Sequence, residues 1–207
     1  MRTTVLSFCA AVLVLGCDGS DPGEDDAGIV LTDSGPADDA GASACAAPEE
    51  GFGTSEGRKF SPFTLQRCDG SDYRFYGEEE GYCDARFTVV SIAAGWCNPC
   101  RVEAEQMQER LVEAYADQGV RVVVAIIQNN DFGAPDLAFC DGWVDQYELT
   151  NPVLIDPTQE TQIYFPGDSL PAALIVDSEG TIRYREYGVS VGLETTRAAL
   201  DELLSEE

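Results

Sequence analysis

The run RFTVVSIAAGWCNPCRVEAEQMQERLVEAYADQGVRVVVAII, residues 86–127, decides how this chain folds. Its two ends are nearly continuous apolar stretches, 86–94 and 120–127. Stretches of that kind suit central parallel strands covered on both faces. Between them, residues 99–118 carry Val102, Met107, Leu111, Ala114 and Tyr115 at helical spacing, and Gly119 ends the pattern. Strand, helix and strand form a β-α-β unit. Trp96-Cys97-Asn98-Pro99-Cys100 falls where the first strand hands over to the helix.

Two cysteines separated by two residues at a helix start can close a disulfide. Cys97 would meet the unpaired N–H groups and positive dipole end of the helix, which favour an anion. Its thiol pKa should fall below the free value of ~8.5. The thiolate would attack a disulfide, and Cys100, one turn further in, would resolve the mixed disulfide by attacking Cys97. Pro99 suits a first helical turn, where a missing N–H is harmless. A zinc site would need a second such pair or histidine, and the chain has neither. An inert disulfide fits poorly with the tryptophan, strand and amphipathic helix around it. Cys97 and Cys100 are therefore the expected catalytic pair.

Working outward, residues 135–147 read as a second helix, with Leu137, Phe139, Trp143 and Val144 among its buried positions. Residues 153–155 read as a short strand, and 158–165 as an irregular or helical connection. Strands at 172–176 and 181–187 flank the turn sequence Asp177-Ser178-Glu179-Gly180. A closing helix, 193–204, sets Leu193, Ala199, Leu200 and Leu203 on one side. Upstream, 61–66 and 73–76 form a hairpin around Cys68-Asp69-Gly70-Ser71. A parallel β-α-β unit, then a hairpin and a last helix, is the order of the thioredoxin fold. The expected class is α/β, a central mixed β-sheet flanked by helices, with an N-terminal β-hairpin extension, over residues 51–207.

Residues 1–16 read as a lipoprotein signal peptide. Arg2 precedes a short apolar run that is too brief to span a bilayer. The run ends in Val14-Leu15-Gly16-Cys17, which resembles a bacterial lipobox, and by that resemblance Cys17 is the lipidation site. An ordinary cleaved signal is the alternative. Residues 17–50 are acidic, rich in Asp, Gly, Ala, Ser and Pro, and free of Lys and Arg, so a flexible tether is expected there. The chain carries 12 basic and 38 acidic residues, a net charge of -26, which sets it against nucleic acid as a partner. Eight cysteines point to an oxidising compartment. The absence of histidine removes Cys-His catalysis and imidazole-bound metals, copper-delivery chemistry included. No cofactor and no metal are expected.

From about Phe60 to Leu204 the chain resembles the exported thioredoxin-like proteins of the TlpA/ResA and redoxin kind. The matching residues are Trp96 to Arg101 with Glu103, the hydrophobic strand before them, and Leu170-Pro171 ahead of Ala172 to Asp177. The resemblance implies that Pro171 is a cis-proline beside the cysteine sulfurs, with Trp96, Leu170 and Pro171 contacting substrate. Many cytoplasmic thioredoxins place a buried Asp where this chain has Ser91. Glu103 is then the candidate to assist deprotonation of Cys100, against the plainer reading of a solvated helix residue.

The resemblance also implies a thiol–disulfide oxidoreductase, more a reductant than an oxidant, acting on thiols and disulfides of exported proteins. It would sit in the cell envelope or periplasm, membrane-anchored by its lipid, and draw electrons from a membrane or periplasmic donor. A thiol peroxidase is the alternative enzyme, disfavoured because Ala94 stands where a peroxidase has Thr or Ser. A non-catalytic structural lipoprotein domain is the remaining reading. Cys45, Cys68, Cys83 and Cys140 are structural disulfide candidates; three pairings are open, and Cys68–Cys83 is preferred because the two flank the hairpin, leaving Cys45–Cys140.

Overall fold

The computed structural model describes residues 46–77, 82–188 and 193–206. The signal peptide, Cys17, Cys45 and nearly all of the expected tether lie outside the described residues.

One mixed sheet contains β1 (Thr64–Arg67), β2 (Asp72–Arg74), β3 (Phe87–Ala94), β4 (Val120–Gln128), β5 (Val153–Ile155), β6 (Ala172–Asp177) and β7 (Ile182–Tyr187). The spatial order is β2-β1-β5-β4-β3-β6-β7. Every residue of β3 is buried, as its unbroken apolar run requires of a central strand. It pairs parallel with β4 and antiparallel with β6, so that Val89 lies opposite both Val122 and Ile175. The β6–β7 hairpin closes one edge. The β1–β2 hairpin forms as expected, but it is more than an appendage: β1 pairs antiparallel with β5 and extends the main sheet.

Among the described residues, three α-helices accompany the sheet: α1 (Asn98–Met107), α2 (Leu137–Tyr147) and α3 (Glu194–Ser205). The units β3-α1-β4 and β4-α2-β5 step in the same direction across the sheet, so right-handed crossovers bring α1 and α2 to one face. The backbone N–H of Thr150, just past α2, accordingly donates to Gln108 Oε1 at 3.0 Å. The tyrosine hydroxyl of Tyr115 donates to Asp201 of α3 at 2.8 Å.

The helix expected over 99–118 is broken into three parts. After α1 the chain widens to a π-helical stretch, Gln108–Glu113, and a 3-10 turn, Ala116–Gln118, ends at Gly119 with φ +75°. The π stretch starts at the residue pinned to Thr150, a tertiary bond that apolar spacing does not encode. The inward stripe is also redrawn. Cys100, Glu103, Ala104, Met107, Leu111 and Tyr115 are buried, whereas Val102 and Ala114 face solvent. On α2 the inward residues are Cys140, Trp143 and Tyr147; Phe139 and Val144 are half-buried, and Leu137 is exposed.

The preferred bridge Cys68–Cys83 does not form. Cys68, at the hairpin turn, is bonded to Cys140 on α2, which excludes Cys45–Cys140 as well. Cys83 is disulfide-bonded too. The reason lies in the sheet: pairing β1 with β5 carries the hairpin turn towards the helix that precedes β5. Both sulfurs lie near the Val153 carbonyl of that strand, at 3.6 and 3.7 Å.

Candidate redox site

The buried strand β3 ends at Ala94, and the chain turns through Gly95 and Trp96 into α1. Gly95 is required by crowding. A Cβ there would stand 2.6 Å from Asn130 Oδ1 and Phe139 Cζ, and 2.8 Å from the Asn129 carbonyl carbon. Its N–H donates to the Gln128 carbonyl at 2.8 Å, locking this turn to the end of β4.

Cys97 is the N-cap of α1, with extended backbone, and its Sγ accepts the Cys100 N–H at 3.2 Å. That is one of the orphan amides of a helix start. Pro99 occupies the first turn as expected. The two cysteines form a disulfide and are each only 2 % exposed. The indole N–H of Trp96 donates to Gln128 Oε1 at 2.9 Å, and the ring is half-buried. The Leu170–Pro171 peptide bond is cis, immediately before β6. The Leu170 N–H donates to the Asp168 carbonyl at 2.9 Å, and the Pro171 carbonyl accepts from Gly188 at 2.9 Å.

Glu103 follows Cys100 by one turn on the buried stripe and is 4 % exposed. Burial first, and the nearby Glu186 carboxylate second, push its pKa up to about 8. Ser91, also buried, lies opposite Ala173, which in turn lies opposite Glu186 on β7. Directly opposed residues share a face of a sheet, so Ser91, Ala173 and Glu186 form one row. Glu186 accepts hydrogen bonds from the hydroxyls of Thr195 and Thr196 in the first turn of α3, both at 2.5 Å. The buried carboxyl group of this region is therefore Glu103 on α1, with the Glu186 carboxylate of β7 close enough to raise its pKa. Glu186 carries no signal in the sequence: within RYREY it reads as a solvent-facing strand residue. Among the described residues, no cluster of His, Cys, Asp or Glu could hold a metal ion.

A thioredoxin fold with a vicinal cysteine pair at the start of the first sheet-connecting helix defines the class. The redoxin family model matches residues 56–204, and the chain belongs to that family. Among curated relatives, the thiol-disulfide oxidoreductase ResA of Oceanobacillus iheyensis is 25% identical over 99 residues, covering 48% of each chain. The thiol:disulfide interchange protein CycY of Rhizobium leguminosarum bv. viciae is 30% identical over 111 residues, 52% of this chain and 53% of that one. The matches thus span about half the length of these relatives. Solved structures agree on the fold. StoA from Bacillus subtilis superposes with a TM-score of 0.51 at 18% identity, covering 68% of this chain and 96% of that one. A thiol-disulfide oxidoreductase from Bacteroides fragilis gives 0.55 at 19% identity, covering 70% and 99%.

Proposed function

We propose that this protein is a thiol–disulfide oxidoreductase that reduces disulfides in exported proteins. The observation that carries the reading is Cys97 as helix N-cap, its sulfur placed on the Cys100 amide that would stabilise a thiolate. In the reduced enzyme the Cys97 thiolate attacks a substrate disulfide. One substrate thiol leaves and a mixed disulfide forms. Cys100, deprotonated, then attacks Cys97, releases the second substrate thiol and closes the Cys97–Cys100 bond. Two electrons and two protons pass to the substrate, and a membrane or periplasmic thiol donor restores the dithiol.

Glu103 takes the proton from Cys100. A carboxyl group with a pKa of about 8 is close to a thiol's ~8.5, so the transfer is nearly balanced in either direction. Trp96, next to Cys97 in the chain, and the cis-proline Pro171 are the residues we assign to substrate contact. Leu170, its N–H already used, offers its carbonyl to an extended substrate segment. Export and lipidation at Cys17 rest on the sequence of the N-terminus. The Cys68–Cys140 disulfide supports an oxidising compartment. No helix among the described residues is long and apolar enough to cross a membrane.

Trapping in the native envelope tests the reading. Cys100→Ser should accumulate mixed disulfides through Cys97 with exported proteins, and wild type should reduce insulin in the presence of a dithiol donor. If Cys100→Ser captures nothing and wild type leaves insulin intact, the reading is wrong.

A further inference from the structure

The loop joining β4 to α2 is built with unusual care for a surface connection. Asn129 organises it: its Oδ1 accepts the N–H groups of Asp131 and Gly133 at 2.9 and 3.0 Å. Its amide donates to the Ala134 carbonyl at 3.3 Å, and its own N–H donates to the Gly133 carbonyl at 2.9 Å. Gln128 anchors the other side. One end of its amide accepts the Trp96 indole N–H, and the other donates to the Phe132 carbonyl at 3.0 Å.

What this scaffold presents is Phe132, with φ +62°, a left-handed conformation that a bulky residue adopts only under constraint. The side chain is 65 % exposed, so core packing does not explain the conformation. One ring face stacks on Trp96, centroids 5.0 Å apart and planes 18° from parallel. Trp96 immediately precedes the attacking cysteine. Asp131 and Gly133 flank Phe132, the one aromatic side chain of this loop.

We infer that Phe132 and Trp96 form an aromatic platform that selects substrate segments bearing an apolar residue next to the reactive cysteine. The inference rests on the oxidoreductase reading above and names its substrate class. Cysteine is among the most deeply buried residue types, so its neighbours in a folding or misfolded client are commonly core residues. A disulfide that can be reached is one whose chain is locally open, with those neighbours exposed. A rigid aromatic face binds such a side chain by stacking and area burial with little ordering cost to the enzyme.

Three disulfides test this: two peptides identical except for Phe or Ser beside the reactive cysteine, and 2-hydroxyethyl disulfide. Phe132→Gly, which removes the ring and suits the positive φ, should lower kcat/KM for the Phe peptide by ~10-fold or more, through KM. Turnover of the Ser peptide and of 2-hydroxyethyl disulfide should be unchanged, and Phe132→Leu should recover part of the loss. Equal losses on all three substrates would mean that the ring only shields Trp96, and would overturn the inference. So would a Phe132→Gly enzyme indistinguishable from wild type, while leaving the oxidoreductase reading intact. A wild type that reduces none of the three defeats both.

Discussion

Glu103 shows how much one side chain's placement can alter. In the sequence it stands between Val102 and Ala104 on a helix whose acidic residues otherwise face water, so a solvated role was the natural competitor to a catalytic one. The inward stripe starting at Cys100 takes Glu103 and leaves Val102 37 % exposed. With a folded pKa raised to about 8, Glu103 binds its proton more tightly in the folded state than in the unfolded chain. Its stabilising contribution is therefore complete below the ordinary glutamate range and disappears as pH rises towards about 8. Denaturant titrations should show wild type losing stability relative to Glu103→Gln across that window, by about 1.4 kcal/mol for each pH unit within it. The same variant should slow resolution of the mixed disulfide and remove its rise with pH near 8. A resolution rate that keeps the wild-type pH profile would leave Glu103 with a structural role alone.

At the scale of elements, the turn from β3 into α1 and the loop from β4 into α2 behave as one unit. Gly95 lies against Asn129, Asn130 and Phe139, and Gln128 bonds to both Gly95 and Trp96. Overpacking such a contact typically costs about 1–3 kcal/mol, so Gly95→Ala should lower the unfolding free energy by that amount. It should also shift Trp96 fluorescence, because the indole is tied to the displaced segment. A variant with wild-type stability and emission would show that the two loops give way independently. The strands and the first helical turn were legible from apolar runs, Pro99 and Gly119, signals that act within a few residues. The π stretch at Gln108–Glu113 was not, because Thr150, which holds its first residue, arrives from the far end of α2.

Across the whole molecule, the Cys68–Cys140 bridge joins the N-terminal hairpin to α2 over 72 residues. Closing a loop of that length in the unfolded chain corresponds to about 4 kcal/mol of stabilisation in the chain-entropy model. Replacing both cysteines with alanine should remove a comparable amount in chemical denaturation. The Cys97–Cys100 pair should still cycle, because it opens and closes within one helical turn. Loss of insulin reduction in a folded Cys68→Ala/Cys140→Ala protein would instead make this bridge part of the redox path.

By itself the sequence determined the order of strands and helices, the cysteine pair at a helix start, the turn chemistry and the acidic, histidine-free character. All of these are written in spacing and composition over one or two turns of chain. Only the tertiary structure decided that β1 extends the main sheet, that Cys68 meets Cys140, that Glu103 faces inward beside Glu186, and that Phe132 covers Trp96. Such pairings depend on which distant segments meet. The entropy of closing alternative loops changes only slowly with their length, so chain separation alone discriminates weakly between candidate partners. Burial and register across the folded sheet make the choice.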